Sequence, residues 1–88
     1  MAFENIDITI EYQNKQIDLR ISRGLTFIRL EELLKELNIL EQLGLNEDSD
    51  KKWELHLKNK NITVNRFEML VNFPLGNGDI LEIETYDI

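Results

Sequence analysis

The hydrophobic period of this chain switches at Gly24. Before it, Ile6, Ile8, Ile10 and Tyr12 alternate with Asp7, Thr9 and Glu11, and Ile17, Leu19 and Ile21 alternate with Asp18, Arg20 and Ser22. Strict alternation puts every second side chain on one face, the signature of a strand with one buried side. Gln13-Asn14-Lys15 separates the two runs, with Asn14 the residue expected to take a positive φ, so the first third of the chain is a β-hairpin. After Gly24 the apolar residues fall at helical spacing. Leu30, Leu33, Leu34 and Leu37, continued by Leu40 or Leu43, make one stripe. Thr26 is placed to cap its start, Glu31 and Lys35 stand four apart in the favourable order, and Gly44 suits the position just past its end. The expectation is one helix from Phe27 to Leu43.

Beyond a polar, acidic loop at 46–52, Trp53, Leu55 and Leu57 alternate with Glu54, His56 and Lys58, which predicts a third strand. Asn59-Lys60-Asn61 reads as a turn and Ile62-Thr63-Val64 as a short fourth strand. Residues 65–75 have no clean period. Phe67, Met69, Leu70, Phe73 and Leu75 are expected to feed the core from a loop or a single helical turn, since Pro74 excludes a long helix. Gly76-Asn77-Gly78-Asp79 is a turn, and Ile80 to Thr85 the last strand, with Leu81 and Ile83 facing in and Glu82 and Glu84 facing out. The order ββαββ, an irregular stretch, then β, with one apolar face per strand, is an α+β arrangement in which the helix covers one side of a mixed sheet. A right-handed crossover sets the first and last strands side by side and parallel. This is the β-grasp architecture. At 88 residues the chain reads as a single domain over 1–88 with an ordered core of about 5–86.

Ile6-Asp7-Ile8-Thr9-Ile10, Asp18-Leu19-Arg20-Ile21 and Gly78-Asp79-Ile80-Leu81-Glu82-Ile83 carry a resemblance that extends from Ile6 to Ile83. They are similar to the YukD/EsaB family, bacterial ubiquitin-like proteins associated with type VII secretion. The Leu-rich helix and the acidic 46–52 loop depart from the family pattern. The resemblance implies a cytoplasmic, non-enzymatic accessory or regulatory factor that acts by protein–protein binding. Its implied partners are cytosolic parts of the secretion machinery, and it would be a monomer or weak dimer. A β-grasp protein of a phage or mobile element with an unrelated target, or a modifier-like protein, are the alternative readings.

Composition bears on each of these. A net charge of −7 disfavours binding to nucleic acid or anionic lipid and leaves basic proteins as partners. No uncharged run is long enough to span a bilayer, and Met1-Ala2-Phe3-Glu4 lacks the basic start and apolar region of a signal peptide, so no membrane insertion is expected. The chain has no cysteine, which excludes thiolate metal sites and thiol nucleophiles. Conjugated ubiquitin-like modifiers use a flexible Gly-Gly end, and no Gly-Gly occurs here. His56 is the one histidine, and without a second imidazole it reads as an exposed residue rather than a general base or metal ligand. Glu47, Asp48 and Asp50 lack the spaced ligands and closing glutamate of a calcium loop. Trp53 shares a face with Leu55 and Leu57 and is assigned to packing rather than to an interface. No catalytic residue, cofactor or metal is expected.

The informative surface is the outer sheet face. Alternation places Asp7, Thr9, Glu11, Asp18, Arg20, Glu54, His56, Lys58, Glu82 and Glu84 there, six acidic residues against two basic ones. Asp7 and Glu11 are expected beside Glu82 and Glu84 on neighbouring strands, where like charges mildly destabilise. A basic partner would account for such a cluster, as would solubility alone. Asp7, Glu11, His56, Glu82 and Glu84 are the candidate contact residues. In ubiquitin this face carries an apolar receptor patch, and the inferred alignment sets His56, Glu82 and Glu84 at three of its positions. A further surface is the unpaired outer edge of the second strand, Gln16 to Ser22, able to accept another strand.

Overall fold

The computed structural model describes residues 3–45, 51–62 and 64–87. β1 (Asn5–Tyr12) and β2 (Lys15–Ser22) form the expected hairpin, closed by a two-residue loop in which Tyr12 pairs with Lys15. Gln13, not Asn14, takes the positive φ, at 47°. α1 runs Phe27–Glu36, α2 Ile39–Gln42, β3 Lys51–Leu57 and β4 Ile80–Asp87, with a short 3₁₀ turn at Leu70–Asn72. The sheet order is β2-β1-β4-β3, with β1 and β4 side by side and parallel as expected and both outer pairs antiparallel. The short strand expected at 62–64 does not form: Ile62 and Val64 lie outside any strand, and Thr63 lies outside the described residues, as do 46–50 of the acidic loop.

The single long helix is also corrected. Thr26 caps α1 as expected, its hydroxyl accepting from the Arg29 amide at 3.1 Å. The helix stops at Leu37 because Asn38 turns left-handed, at φ 59°. Asparagine tolerates that conformation at modest cost and commonly ends helices in this way. The kink re-aims the stripe. Leu30, Leu34, Leu40 and Leu43 stay buried and Ile39 joins them, whereas Leu37 is 57% exposed. Gly44, at φ 88°, ends α2: its amide bonds to the Glu41 carbonyl, and the Leu45 amide reaches back to Leu40. Leu40 and Leu45 are both buried around this Schellman-type closure.

The core lies between the inner sheet face and the helices, with Ile8, Ile10, Phe27, Leu30, Leu34, Leu70 and Leu81 fully buried. Residues 65–75 contribute as a loop with one turn. The Phe73 ring meets Phe27 edge-on at 4.9 Å, Leu70 and Leu75 are buried, and the Leu70 amide donates to Leu25. Phe67 does not join them and is 75% exposed. Glu31 pairs with Arg66 through two bonds of 2.9 and 3.0 Å rather than with Lys35. The Lys35 ammonium instead sits 5.9 Å from the Trp53 ring centre, and Trp53 packs half-buried against the core as expected. The kink predicts a sharp contrast between two leucines three residues apart. Leu34→Ala should cost about 3 kcal/mol in urea denaturation, and Leu37→Ala less than about 0.5 kcal/mol. Similar costs at both positions would mean an unbroken helix.

Candidate functional site

Period-two alternation delivers the predicted residues to the outer face, and register decides which of them meet. Asp7 pairs with Arg20, Thr9 with Asp18, Glu11 with both Gln16 and Glu82, His56 with Glu82, and Glu54 with Glu84. Lys58 follows directly on β3, its amide bonded to the Ile80 carbonyl. The β1–β4 ladder is short, from Thr9–Ile80 to Glu11–Glu82. Asp7 therefore lies against the turn before β4, its carbonyl accepting from the Gly78 amide and its amide donating to the Asn77 side chain. Glu84 has run past the end of β1 and faces Glu54 on β3. The expected cluster of four carboxylates is thus corrected: only Glu11 and Glu82 are direct neighbours.

The face manages its like charges with three bridges. Arg20 donates to both oxygens of Asp7, at 2.9 and 3.3 Å, and these bonds hold the Asp7 carboxyl below its ordinary range. Lys58 reaches across β4 to Glu11 at 2.7 Å, while Gln16 donates to the other Glu11 oxygen at 2.6 Å. Both bonds, Lys58 first, lower the Glu11 pKa, and the same contact raises that of Lys58, with Glu82 adding a smaller attraction. One ammonium thereby serves the Glu11–Glu82 pair. The third bridge is His56, whose Nε2 lies 2.9 Å from Glu54 and 3.4 Å from Glu84. A ring nitrogen carrying hydrogen offsets the repulsion of two glutamates set directly opposite. The ligand atoms of Glu54, His56 and Glu84 lie within 4.8 Å of one another, so these are the described residues that could hold a metal ion.

Among the described residues Glu82 makes no side-chain hydrogen bond or ion pair, and it stands at the centre of the face between Glu11 and His56. Alternation puts Lys58 on this face but does not reveal its partner, because a side chain that crosses an intervening strand leaves no mark in local spacing. Nothing in local spacing marks Arg66 either, since its partner Glu31 is 35 residues away. Glu11 supplies a test. A carboxyl lowered in the folded state stabilises the fold above the ordinary glutamate range, and that contribution is lost as pH falls through the lowered value. Carboxyl-carbon NMR should therefore show the Glu11 midpoint rising toward 4.5 in Lys58→Met. An unchanged midpoint would mean that the Lys58 bond does not form in solution.

Comparison with known proteins agrees with this architecture. The profile of the family described as "WXG100 protein secretion system (Wss), protein YukD" matches residues 5–83. An uncharacterized protein of Clostridium acetobutylicum is 34% identical over 77 residues, covering 88% of this chain and 79% of its own length. The fold is shared with the ubiquitin-like domain of EccD5 from Mycobacterium xenopi, at TM-score 0.71 and 19% identity over 97% of this chain and 98% of that domain. A chain of the MycP5-free ESX-5 inner membrane complex matches at TM-score 0.72 and 19% identity, over 96% of this chain but only 21% of its own much greater length. Caldiarchaeum subterraneum ubiquitin matches at TM-score 0.64 and 15% identity, over 97% and 98% of the two chains. No helix among the described residues is long and apolar enough to cross a membrane. With a family profile spanning nearly all of the sequence, the chain belongs to the YukD family of the WXG100 secretion system and is a ubiquitin-like protein associated with type VII secretion.

Proposed function

We propose that this protein acts by binding, docking the acidic outer face of its sheet onto a basic surface of a cytosolic component of the type VII secretion machinery. The observation that carries this reading is Glu82. Glu11 and Asp7 are bonded within the chain by Lys58 and Arg20, and Glu54 shares His56 with Glu84. Glu82 stands between them with its carboxylate available, on a face whose formal charge remains negative after those bridges are made. Glu82 shares only the longer-range attraction of Lys58, whose ammonium bonds to Glu11, so an external cation would supply the direct partner it lacks. Glu82 and Glu84 are the leading contacts, with Asp7, Glu11 and His56 around them.

The class of partner rests on the family and on the fold shared with a chain of an ESX-5 inner membrane complex. The protein works in the cytoplasm in this reading, and no step of its action is enzymatic. It is also not conjugated to targets. What supports this is that no Gly-Gly occurs in the sequence.

Capture from cells of the source organism tests the face. Native protein should recover a cytosolic component of the secretion machinery, and the Glu82→Lys/Glu84→Lys protein should lose it while keeping its circular dichroism spectrum. Recovery of the same component by both baits would remove this face from the mechanism. Intact-mass analysis of the protein isolated from those cells should show one free species, and a ladder of added masses would indicate conjugation.

A further inference from the structure

The free edge of the sheet is chemically specific. The odd-numbered residues of β1 turn their main-chain groups toward β4: the Thr9 amide donates to Asp79, and the Asp7 carbonyl accepts from Gly78. Ile6, Ile8 and Ile10 therefore bond to their partners Ile21, Leu19 and Ile17 on β2. This leaves the amides and carbonyls of Gln16, Asp18 and Arg20 pointing away from the sheet, with no main-chain partner among the described residues. The inner side chains of the same strand are incompletely covered. Ile17 and Leu19 are only half-buried, and beside them runs an apolar groove of about 230 Å³ lined by Leu19, Ile21, Leu33, Leu37 and Ile39.

We propose that β2 pairs antiparallel with β2 of a second copy about a two-fold axis through Leu19, joining the two sheets into one. Two requirements select this register. The in–out alternation must be preserved, which excludes every odd shift and makes the outward main-chain groups meet; with Leu19 on the axis Asp18 lies opposite Arg20 of the second copy, each pair exchanging both main-chain bonds. The charges must be complementary. Here Asp18 faces arginine and Arg20 faces aspartate, whereas an axis through residue 18 sets Asp18 against itself and one through residue 20 sets Arg20 against itself. Within its own chain Asp18 accepts only from the Thr9 hydroxyl among the described residues, leaving one carboxylate oxygen for the second copy. On the inner side Leu19 meets Leu19 of the second copy, Ile17 meets Ile21, and the apolar groove is covered. One strand and one groove make a small interface, so association is expected between micromolar and millimolar concentration.

Sedimentation equilibrium across that range tests the idea. Native protein should form a dimer. Asp18→Arg alone and Arg20→Asp alone each place like charges opposite one another and should weaken dimerisation at least about tenfold. An equimolar mixture of the two should recover it, because an edge carrying two arginines then faces an edge carrying two aspartates. Arg20→Asp also loses the bond to Asp7, so its fold is verified first; should it not fold, Asp18→Arg, which leaves that bond intact, decides alone. A native protein that stays monomeric to millimolar concentration would overturn the proposal and leave the edge to a strand of another protein. So would an Asp18→Arg protein that dimerises as the native does, or a mixture of folded variants that remains monomeric.

Discussion

The architecture depends on a contact between segments about seventy residues apart, the parallel pairing of β1 with β4. Its ladder is only three pairs long, Thr9–Ile80, Ile10–Leu81 and Glu11–Glu82. Without it the molecule would be two separate antiparallel ribbons, β1–β2 and β3–β4. Two-stranded ribbons are marginal alone, and closing so long a loop carries an entropic cost before any contact is gained. What offsets that cost is burial at the centre of the ladder, where Ile10 and Leu81 sit side by side at 0% exposure in the same core cluster as Leu30 and Leu34 of α1. The turn at 76–79 extends the seam. The Asn77 side chain takes the Asp7 amide, the Gly78 amide takes the Asp7 carbonyl, and Asp79 fixes the turn by accepting from the Gly76 amide and from Lys60.

The same seam fixes the electrostatics of the outer face. Because the ladder runs from Thr9 to Glu11, it forces Glu11 and Glu82 together and sends Glu84 on to meet Glu54. Each repulsive pair then acquires a cationic or hydrogen-donating neighbour from β3 or its end, Lys58 for the first and His56 for the second. Both lie on the surface, where single ion pairs contribute little stability. Their consequence is geometric: they hold Glu11 and Glu54 in place and leave the centre of the face to Glu82. A β-grasp sheet with an apolar patch at this position would select apolar receptors; one with ordered carboxylates would select cations.

Most of the fold could be read from the sequence because most of it is periodic. Alternation in 6–12, 17–21, 53–58 and 80–85 marks the four strands that form, while the three residues 62–64, too short to show a period, do not make the fifth; the element order with the crossover rule sets the last strand beside the first. The misreadings fall where two conformations share one pattern. Leu30, Leu33, Leu34, Leu37 and Leu40 fit a continuous helix, and only Asn38, a residue that accepts a left-handed backbone, signals the break that exposes Leu37. Phe67 counts as core by hydrophobicity alone, yet its aperiodic segment is positioned by Leu70 and Phe73 and leaves it outside. For the candidate site, membership of the face was readable and adjacency was not. Alternation says which residues point outward, but the parallel register that separates Asp7 from Glu82 is set by a turn and a ladder distant in sequence.

Edge and face are linked by the symmetry of the proposed pairing. A two-fold axis through Leu19 that preserves the in–out alternation puts both helical layers on one side of the joined sheet and both outer faces on the other. The two faces then form one surface, with Asp18 and Arg20 of each copy neutralised at the seam and a Glu82 cluster on either flank. Because β2 is separated from β4 only by β1, each cluster stands two strands from the seam. A basic target presenting two such sites, as any symmetric assembly does, would engage both clusters at once, and the second contact would form at the high effective concentration of an intramolecular event. In the proposed dimer the two contacts are coupled through one continuous sheet: a target that bridged both faces would also hold the two copies together, so each contact would strengthen the other.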